Sequence, residues 1–499
     1  WLIALIVLIS LPLLLPFLYV IERAADVGLA RSIELLWRPR MWELLSNTLL
    51  LMVFVTLFAI ILGTLCAFLL ERYRFCGKGF FQVAMTLPLC IPAFVSCFTW
   101  ISLTFRVEGL WGTIGIMTLS SFPLAYLPVA ATLKRLDRSL EEVSLSLAKS
   151  QAYTFWHAIF PQLKPAIGSS VLLIALHMLV EFGAVSILNY QTFTTAIFQE
   201  YEMAFNNNTA ALLSGVLMVI CILVVMGEIR FRGTQTLYQS GKGVIRPYPL
   251  KTLSAGKQIL VVSFFTTIFV LSIGVPITML IYWLKVGNSI ESAVDFGEFF
   301  TAFTNSLTIS TLGAALTVIC ALPLVWAAVR YRSKLTIWLD RIPYLLHAVP
   351  GLVIALSLVF FTINYAYSLY QTFAMVIVAY FMLYLPMAQT TLRSSLEQMS
   401  SNIEKVGQSL GRSNFYIFRT LVIPAMLPGI AAAFALVFLN LMKELTATLL
   451  LTPNDIKTLS TAVWEYTSDA QYAAATPYAI MLVLFSGIPV FLLKRYGFK

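Results

Sequence analysis

The chain has 499 residues, of which 59% are hydrophobic and only 11% are charged. Ordinary soluble domains carry about 25% charged residues, and a soluble chain of this composition would expose more apolar surface than water tolerates. The composition also excludes intrinsic disorder, which requires few apolar and many charged residues. We therefore predict an all-α polytopic membrane protein.

The net charge of +10 comes from 33 Lys and Arg against 23 Asp and Glu. The basic residues lie in short segments between apolar runs, as expected of cytoplasmic loops rather than of a nucleic-acid-binding surface. We therefore expect the lipid bilayer, and no nucleic acid, as a partner. The six cysteines form no C-x-x-C pair, which argues against a zinc site and a disulfide framework.

Apolar runs long enough to cross a bilayer recur along the whole chain, since a span needs about 20 helical residues. The first run begins at Trp1 without an initiator Met or a cleavage signature, so we interpret it as a spanning helix of a trimmed chain and not as a signal peptide. The twelve predicted spans are 1–21, 45–70, 82–104, 111–132, 166–188, 209–228, 258–285, 303–329, 342–362, 371–390, 429–451 and 474–493.

The loops between the spans predict the orientation. Lys and Arg predominate after the second, sixth and eighth spans and in the C-terminal tail, whereas acidic residues predominate in the loops on the other side. The loop 22–44 is an exception, because its four arginines are balanced by four acidic residues on the predicted outside. The positive-inside rule therefore places both termini in the cytoplasm.

The second half of the chain repeats the first, which we interpret as two tandem six-helix repeats in one orientation. Chance matches between leucine-rich helices would not align polar residues and prolines in one register. We predict a first repeat at 1–228, a cytoplasmic linker at 229–257 and a second repeat at 258–499. At shifts of 258 and then 263 residues, the matches include Asn47 with Asn305, Arg72 with Arg330, Pro92 with Pro350, Glu141 with Glu404, Pro161 with Pro424 and Glu181 with Glu444.

Two predicted cytoplasmic loops, 133–165 and 392–428, are longer than most others and occupy equivalent places in the repeats. Each has apolar residues at helical spacing, then a polar interruption, then a short apolar helix that ends at proline. This pattern predicts a helix–turn–helix at the membrane surface. It is either a plain interfacial connector or, as we favour, a docking element for a cytoplasmic partner, present twice.

The two loops resemble the EAA loop of permease subunits of binding-protein-dependent ABC importers, which has the form E-A-A-x-x-x-G. Glu142-Val143-Ser144 and Lys405-Val406-Gly407 fill the first three places, with Ala148 and Gly411 in the glycine place. Ala148 and Lys405 depart from the family pattern, and Glu404 stands one residue before Lys405. The resemblance implies docking of ATPase subunits at Glu141, Glu142, Val143, Ala148, Glu404, Lys405, Val406 and Gly411.

The resemblance implies the fold of type I ABC importer permeases, a place in the bacterial inner membrane and a shared mechanism. A periplasmic binding protein delivers the ligand, and two ATPase subunits at the cytoplasmic face drive alternating access. The chain contains no G-x-x-x-x-G-K-[ST] motif, so ATP hydrolysis is expected in partner subunits. We expect a transport subunit that is not an enzyme and needs no cofactor.

A narrower resemblance concerns the substrate. The segments 441–450 and 458–464, with their counterparts 181–185 and 192–197, are similar to those of ferric-iron permeases, which also fuse both halves in one chain. Thiamine permeases are fused as well, so an ABC permease for another substrate stays open. A secondary transporter with two six-helix halves is a further alternative, although such a carrier needs no paired docking loops.

Charged residues inside spans are rare because they are costly to insert. Glu181 and Glu444 occupy the same place in the two repeats, and His177 lies one helical turn before Glu181. We predict that these three residues line the translocation pathway, and that the two carboxylates are transient hard-oxygen ligands of the metal. The alternative is that Lys443 or helix ends pair with the carboxylates. Asn47 and Asn305 are expected to join elements by hydrogen bonds.

Overall fold

The computed structural model describes residues 2–136, 142, 144, 146–147, 150–232, 250–288, 295–331, 333–346, 349–400 and 402–497. Within these ranges the chain is almost wholly helical, and its one strand pair is Tyr73–Arg74, parallel to Lys251–Thr252. The predicted all-α membrane fold is confirmed.

The helices follow one another with short connections. The α-helices are Leu2–Ser10, Leu15–Val27, Leu29–Leu36, Pro39–Arg72, Lys78–Ala84, Ala93–Leu103, Leu110–Ser121, Pro123–Arg135, Gln151–Thr154, Phe160–Val180, Gly183–Ile187, Phe193–Glu202, Asn207–Arg232, Ala255–Phe269, Val275–Asn288, Phe296–Arg330, Lys334–Leu346, Gly351–Tyr365, Phe373–Gln398, Asn402–Ser409, Asn414–Ile417, Ile423–Leu441, Thr446–Leu451, Leu459–Ser468 and Tyr472–Gly497. The 3-10 helices are Pro12–Leu14, Leu87–Cys90, Phe105–Val107 and Tyr367–Leu369, and the π-helices are Phe155–Ile159, Val270–Gly274 and Phe418–Val422.

Every predicted span has a helical counterpart. Nine helices of the described residues are long and apolar enough to cross a membrane, and two bent pairs raise the number to eleven. The bends, of 93° and 107°, lie at the equivalent Pro92 and Pro350. Each proline precedes a new helix and supplies no backbone N–H, so the chain turns there. The twelfth predicted span corresponds to Tyr472–Gly497.

The chain folds as two compact units, each built from segments that are distant in sequence. The first unit comprises Trp1–Leu36, Ile197–Met218 and Val294–Glu465, and the second comprises Trp37–Ala196, Val219–Ala293 and Tyr466–Lys499. Each unit therefore contains elements of both predicted repeats. The repeat boundaries at 228 and 258 concern the duplicated sequence and stay a prediction.

Both units are organised around one long helix. In the first unit, Phe296–Arg330 packs against Phe373–Gln398 and Ile423–Leu441. In the second unit, Pro39–Arg72 packs against Pro123–Arg135 and Phe160–Val180. These long helices contain glycine where a neighbour comes close.

The last helix of each of the loops 133–165 and 392–428 differs from the prediction. The sequence predicts a short surface helix that ends at proline, but Phe155–Ile159 and Phe418–Val422 run directly into the spanning helices that follow. The reason is the π-helical turn, in which the hydrogen bonds are shifted by one residue. As a result, Pro161 and Pro424 lie in the first turn of the α-helix that follows. A proline is tolerated there because the backbone N–H groups of a first turn have no helical acceptor. Each loop is thus continuous with a span.

Replacing Gly63 with Ala should destabilise the second unit. A Cβ atom at this position would lie 2.7 Å from the Phe122 carbonyl oxygen and from the Ala125 Cβ atom. Because the backbone must move to make room for the Cβ atom, we expect the free energy of unfolding to fall by about 1–3 kcal/mol. The midpoint of thermal unfolding in detergent should fall with it. Gly115→Ala is the matched control, because that glycine is exposed on a helix with open space around it. Equal midpoints for the two variants would contradict the close packing.

Candidate functional site

The helix that leads to Glu444 ends before this residue, inside the first unit. The spanning helix stops at Leu441, and a new short helix starts at Thr446. The Glu444 carboxylate accepts a hydrogen bond from the Ala447 N–H at 3.1 Å, and its main-chain carbonyl accepts one from the Ser460 hydroxyl at 2.8 Å. The carboxylate therefore caps the second helix of a break.

Glu181 occupies the same kind of break in the second unit. The helix Phe160–Val180 stops just before it, and Gly183–Ile187 follows. The Glu181 carboxylate accepts a hydrogen bond from the Ala184 N–H at 3.0 Å, and its carbonyl accepts one from the Thr194 hydroxyl at 2.7 Å. The prediction places both glutamates within continuous spans, whereas both lie at helix ends, where their side chains replace lost backbone partners.

The segment after each break is held by a side chain from the long central helix of its unit. The Asn47 amide donates to the Gln191 carbonyl at 3.1 Å, and the Asn305 amide donates to the Lys457 carbonyl at 3.1 Å. The residue after each asparagine adds a second bond: Thr48 accepts from the Phe193 N–H at 3.1 Å, and Ser306 from the Leu459 N–H at 2.8 Å. The expectation that Asn47 and Asn305 join elements is confirmed, and the arrangement occurs twice.

The surroundings of the two glutamates differ. The His177 Nε2 atom lies 3.7 Å from a Glu181 carboxylate oxygen, and this histidine side chain is 41% exposed. Near Glu444, Tyr380 is hydrogen-bonded to Thr448 at 2.7 Å, and a side chain at Gly351 would contact the carboxylate. No group of three or more His, Cys, Asp or Glu among the described residues is placed to hold a metal ion. Pathway and metal-contact roles for these residues stay predictions.

The loop 392–428 is described except for residue 401, and we call residues 402–422 the elbow. Its Glu404 is buried, with 6% of its surface exposed. The carboxylate accepts hydrogen bonds from Arg330 Nε at 2.7 Å and from Trp326 Nε1 at 3.3 Å. Arg330 also donates to the carbonyls of Leu396 and Met399. Glu404 therefore fixes the elbow to the end of the long helix Phe296–Arg330.

The elbow has one buried face and one exposed face. Gly407 is buried, and a Cβ atom there would lie 2.9 Å from the Ile417 side chain, so the two elbow helices touch at this glycine. Lys405 is exposed, Val406 is 58% exposed and Leu410 is 72% exposed. A charged and apolar surface of this kind fits a partner protein.

Gly411 ends the first elbow helix for a conformational reason. Its φ angle is +70°, and its N–H donates to the Gln408 carbonyl while the Arg412 N–H donates to the Gly407 carbonyl. These two bonds form a Schellman motif, in which glycine is preferred because it tolerates a positive φ. The glycine of the E-A-A-x-x-x-G pattern, Gly411 in this loop, therefore serves to end the helix.

The loop of the first repeat is described only in part. Glu141, Val143 and Ala148 lie outside the described residues, and Glu142 is exposed. The Ser144 hydroxyl is hydrogen-bonded to the Thr154 hydroxyl at 2.8 Å. These two residues correspond to Gly407 and Ile417 of the elbow, so the contact between the two helices recurs in the first loop.

Sequence reasoning missed the inner partners of the elbow. Arg330 and Trp326 are more than 70 residues from Glu404 in sequence. Arg393, which makes a pair of hydrogen bonds with Asp340 at 2.6 and 2.7 Å, was also not singled out. The match of Arg72 with Arg330 between the repeats is the one signal that points to an arginine here.

A family model described as a binding-protein-dependent transport system inner membrane component matches residues 59–229 and again residues 319–496. The chain is 81% identical over its full length to the Fe(3+)-transport system permease protein FbpB 2 of Haemophilus influenzae, of which it covers 99%. It is 22% identical to the ferric transport system permease protein FbpB of Actinobacillus pleuropneumoniae, over 89% of this chain and 69% of that protein. It is 30% identical to the sulfate transport system permease protein CysT of Escherichia coli, over 36% of this chain and 69% of that protein.

Removing either partner of the Glu404–Arg330 pair should destabilise the elbow more than removing both. Arg330→Met or Glu404→Leu leaves one buried charge unpaired, which costs about 3–5 kcal/mol, whereas the double variant leaves none. Hydrogen exchange of residues 402–409, combined with thermal unfolding, measures the coupling in a double-mutant cycle. Lys457→Met is the control, because its ion pairs with Glu298 and Glu465 are one-third to one-half exposed and therefore screened by solvent. Additive single effects would show that the pair does not fix the elbow.

Proposed function

We propose that this chain, which belongs to the family of binding-protein-dependent transport system inner membrane components, is the membrane-spanning permease of an ABC importer for ferric iron. It is a multi-pass inner-membrane protein and a transport subunit, and it is not an enzyme. Its partners are an ATP-binding subunit and a substrate-binding protein, as the family implies.

The observation that supports ferric iron is the 81% identity over the whole chain to a permease named for Fe(3+) transport. Relatives named for sulfate and 2-aminoethylphosphonate transport match 36–45% of this chain at 28–30% identity. Identity over both repeats constrains the pathway as well as the docking loops. We therefore favour ferric iron over thiamine or another small substrate. We also favour an ATP-driven ABC importer over a secondary transporter.

In the proposed assembly, two ATPase subunits bind the two docking loops, one each, and a periplasmic binding protein delivers iron to the opposite face. Lys405, Val406 and Gly411 meet the partner directly, while Glu404 positions them from the buried side. The corresponding residues Glu141, Glu142, Val143 and Ala148 are proposed to serve the second ATPase. The basic loops support cytoplasmic termini and thus a cytoplasmic position of the elbow.

The route of mechanical coupling follows from the elbow contacts. Movement of the ATPase displaces the first elbow helix, whose Glu404 is bonded to Arg330 at 2.7 Å. The second elbow helix is continuous through Phe418–Val422 with the spanning helix Ile423–Leu441, which ends three residues before Glu444. A push on the elbow therefore reaches two long helices of the first unit and the break that contains the glutamate.

We propose that Glu181 and Glu444 contact the iron as it crosses, with His177 beside Glu181. Carboxylate oxygens are hard ligands and suit a trivalent cation. One oxygen of each carboxylate already accepts a backbone N–H, at 3.0 and 3.1 Å. Each glutamate would thus offer a weak, transient ligand, which favours passage over storage.

The proposed function predicts ATP-dependent uptake of radioactive Fe³⁺ by proteoliposomes that contain the chain, its ATPase and the iron-loaded binding protein. Uptake should stop when ATP is omitted, because ATP hydrolysis in the ATPase subunit is proposed to drive transport. Sulfate and thiamine should not compete with iron. Iron uptake without ATP, or transport of another substrate in its place, would contradict the proposal.

Replacing Val406 with Asp should reduce copurification of the ATPase at least tenfold, because a charge enters an apolar contact. The fold should persist, since this side chain is 58% exposed. Val406→Thr is the matched control, with similar volume and no charge. Undiminished ATPase binding by the Asp variant would remove Val406 from the docking surface.

The double variant Glu181→Gln and Glu444→Gln should slow iron uptake at least tenfold while ATPase copurification stays unchanged. Glutamine keeps the oxygen that caps each short helix but loses the negative charge that attracts Fe³⁺. Asp469→Asn, an exposed acid outside the breaks, is the control. Normal uptake by the double variant would exclude both carboxylates from the pathway.

A further inference from the structure

A cavity of about 140 Å³ lies in the first unit, at the end of its helices opposite the elbow. The helix Phe373–Gln398 connects these two ends, because it begins soon after the cavity residue Asn364 and finishes shortly before Asn402. The polar residues that line the cavity are Tyr19, Arg23, Tyr201, Asn207 and Asn364.

Arg23 is the one cation of the cavity lining, and its position is fixed. Its guanidinium lies over the Phe360 ring at 4.4 Å, and Tyr19 packs against the same ring at 5.4 Å. Its Nη1 atom is 3.4 Å from Asp26, whose side chain is 54% exposed. Its Nε atom is buried and has no hydrogen-bond partner among the described residues. A guanidinium has five N–H donors and Asp26 accepts from one nitrogen, so donors remain for a ligand in the cavity.

The other polar groups suit an anion. The cavity lining contains no carboxylate, whereas two phenol hydroxyls and two side-chain amides can donate hydrogen bonds. Burial raises the pKa of the Tyr201 hydroxyl to about 12, with smaller contributions from Tyr370 and Glu202, so it is a neutral donor at pH 7. The neighbouring acids Glu22 and Glu202 are exposed to solvent and not part of the lining.

We propose that this cavity binds a small oxyanion, such as phosphate or bicarbonate, with Arg23 as its principal ligand. A planar guanidinium presents several N–H donors in a fixed geometry that matches oxyanions. The cavity volume of about 140 Å³ has room for one small polyatomic ion. Asp26 competes with the anion for the same guanidinium. The assignment does not depend on which substrate the permease transports.

The test is thermal unfolding of the full chain in nanodiscs of zwitterionic lipid. Phosphate, sulfate, bicarbonate or acetate is titrated against chloride at constant ionic strength. Phosphate or bicarbonate should raise the unfolding midpoint saturably. Arg23→Met should weaken this binding at least tenfold, and Asp26→Asn should strengthen it at least twofold. Arg106→Met, at an exposed arginine in the second unit, should bind as the unchanged chain does.

Three results would overturn the assignment: no saturable effect in the unchanged chain, equal binding by Arg23→Met, or stabilisation by acetate alone. Acetate alone would mean that the cavity receives a carboxylate side chain instead. If Arg23→Met fails to fold, the Asp26→Asn variant decides, and binding no tighter than in the unchanged chain rejects the role of Arg23. Nanodiscs with phosphatidylglycerol distinguish the source, because a lipid phosphate in the cavity would abolish the response to added phosphate.

Discussion

A helix that is interrupted inside a bilayer leaves backbone N–H and C=O groups without helical partners, and the lipid offers none. At the breaks of Glu181 and Glu444, which follow the ends of two apolar helices, the protein itself supplies such partners. A carboxylate caps the new helix, a hydroxyl from the following segment binds the carbonyl, and an asparagine of the long central helix holds that segment. The breaks therefore require these polar residues, whatever the residues contribute to transport.

The same set of bonds places ionisable groups where a helix has ended and the backbone is already polar. A carboxylate at such a point is less costly than one in mid-helix, because it accepts an N–H at 3.0 or 3.1 Å. In the elbow, the buried Glu404 carboxylate similarly accepts hydrogen bonds from Arg330 and Trp326. A few polar contacts therefore fix the positions of the glutamates at the breaks and of the elbow within mainly apolar surroundings.

Hydropathy and duplication predict the spans, the paired prolines and the paired glutamates, because each is a local property or a match in register. They do not predict that helices stop at Val180 and Leu441, since no proline directly follows either residue in the sequence. Nor do they reveal that Glu404 faces inward. Its partners Arg330 and Trp326 lie on another helix, and an amphipathic pattern over eight residues does not distinguish a partner surface from an internal contact. Proline does not by itself mark a helix end, because Pro161 and Pro424 lie in the first turn of helices that continue directly from π-helical turns.

The first unit combines the opening helices of the chain with segments that are synthesised much later. Tyr19 packs against Phe360, about 340 residues further along. At a synthesis rate of about 5–20 residues per second, the opening helix waits on the order of 20–70 s in the membrane before its neighbour exists. Insertion and packing are therefore separate events for this helix. If the ribosome stalls in the second half of the chain, the opening helix is inserted in the membrane but lacks the helix that contains Phe360, against which it packs. The unpaired opening helix is then exposed to quality-control proteases.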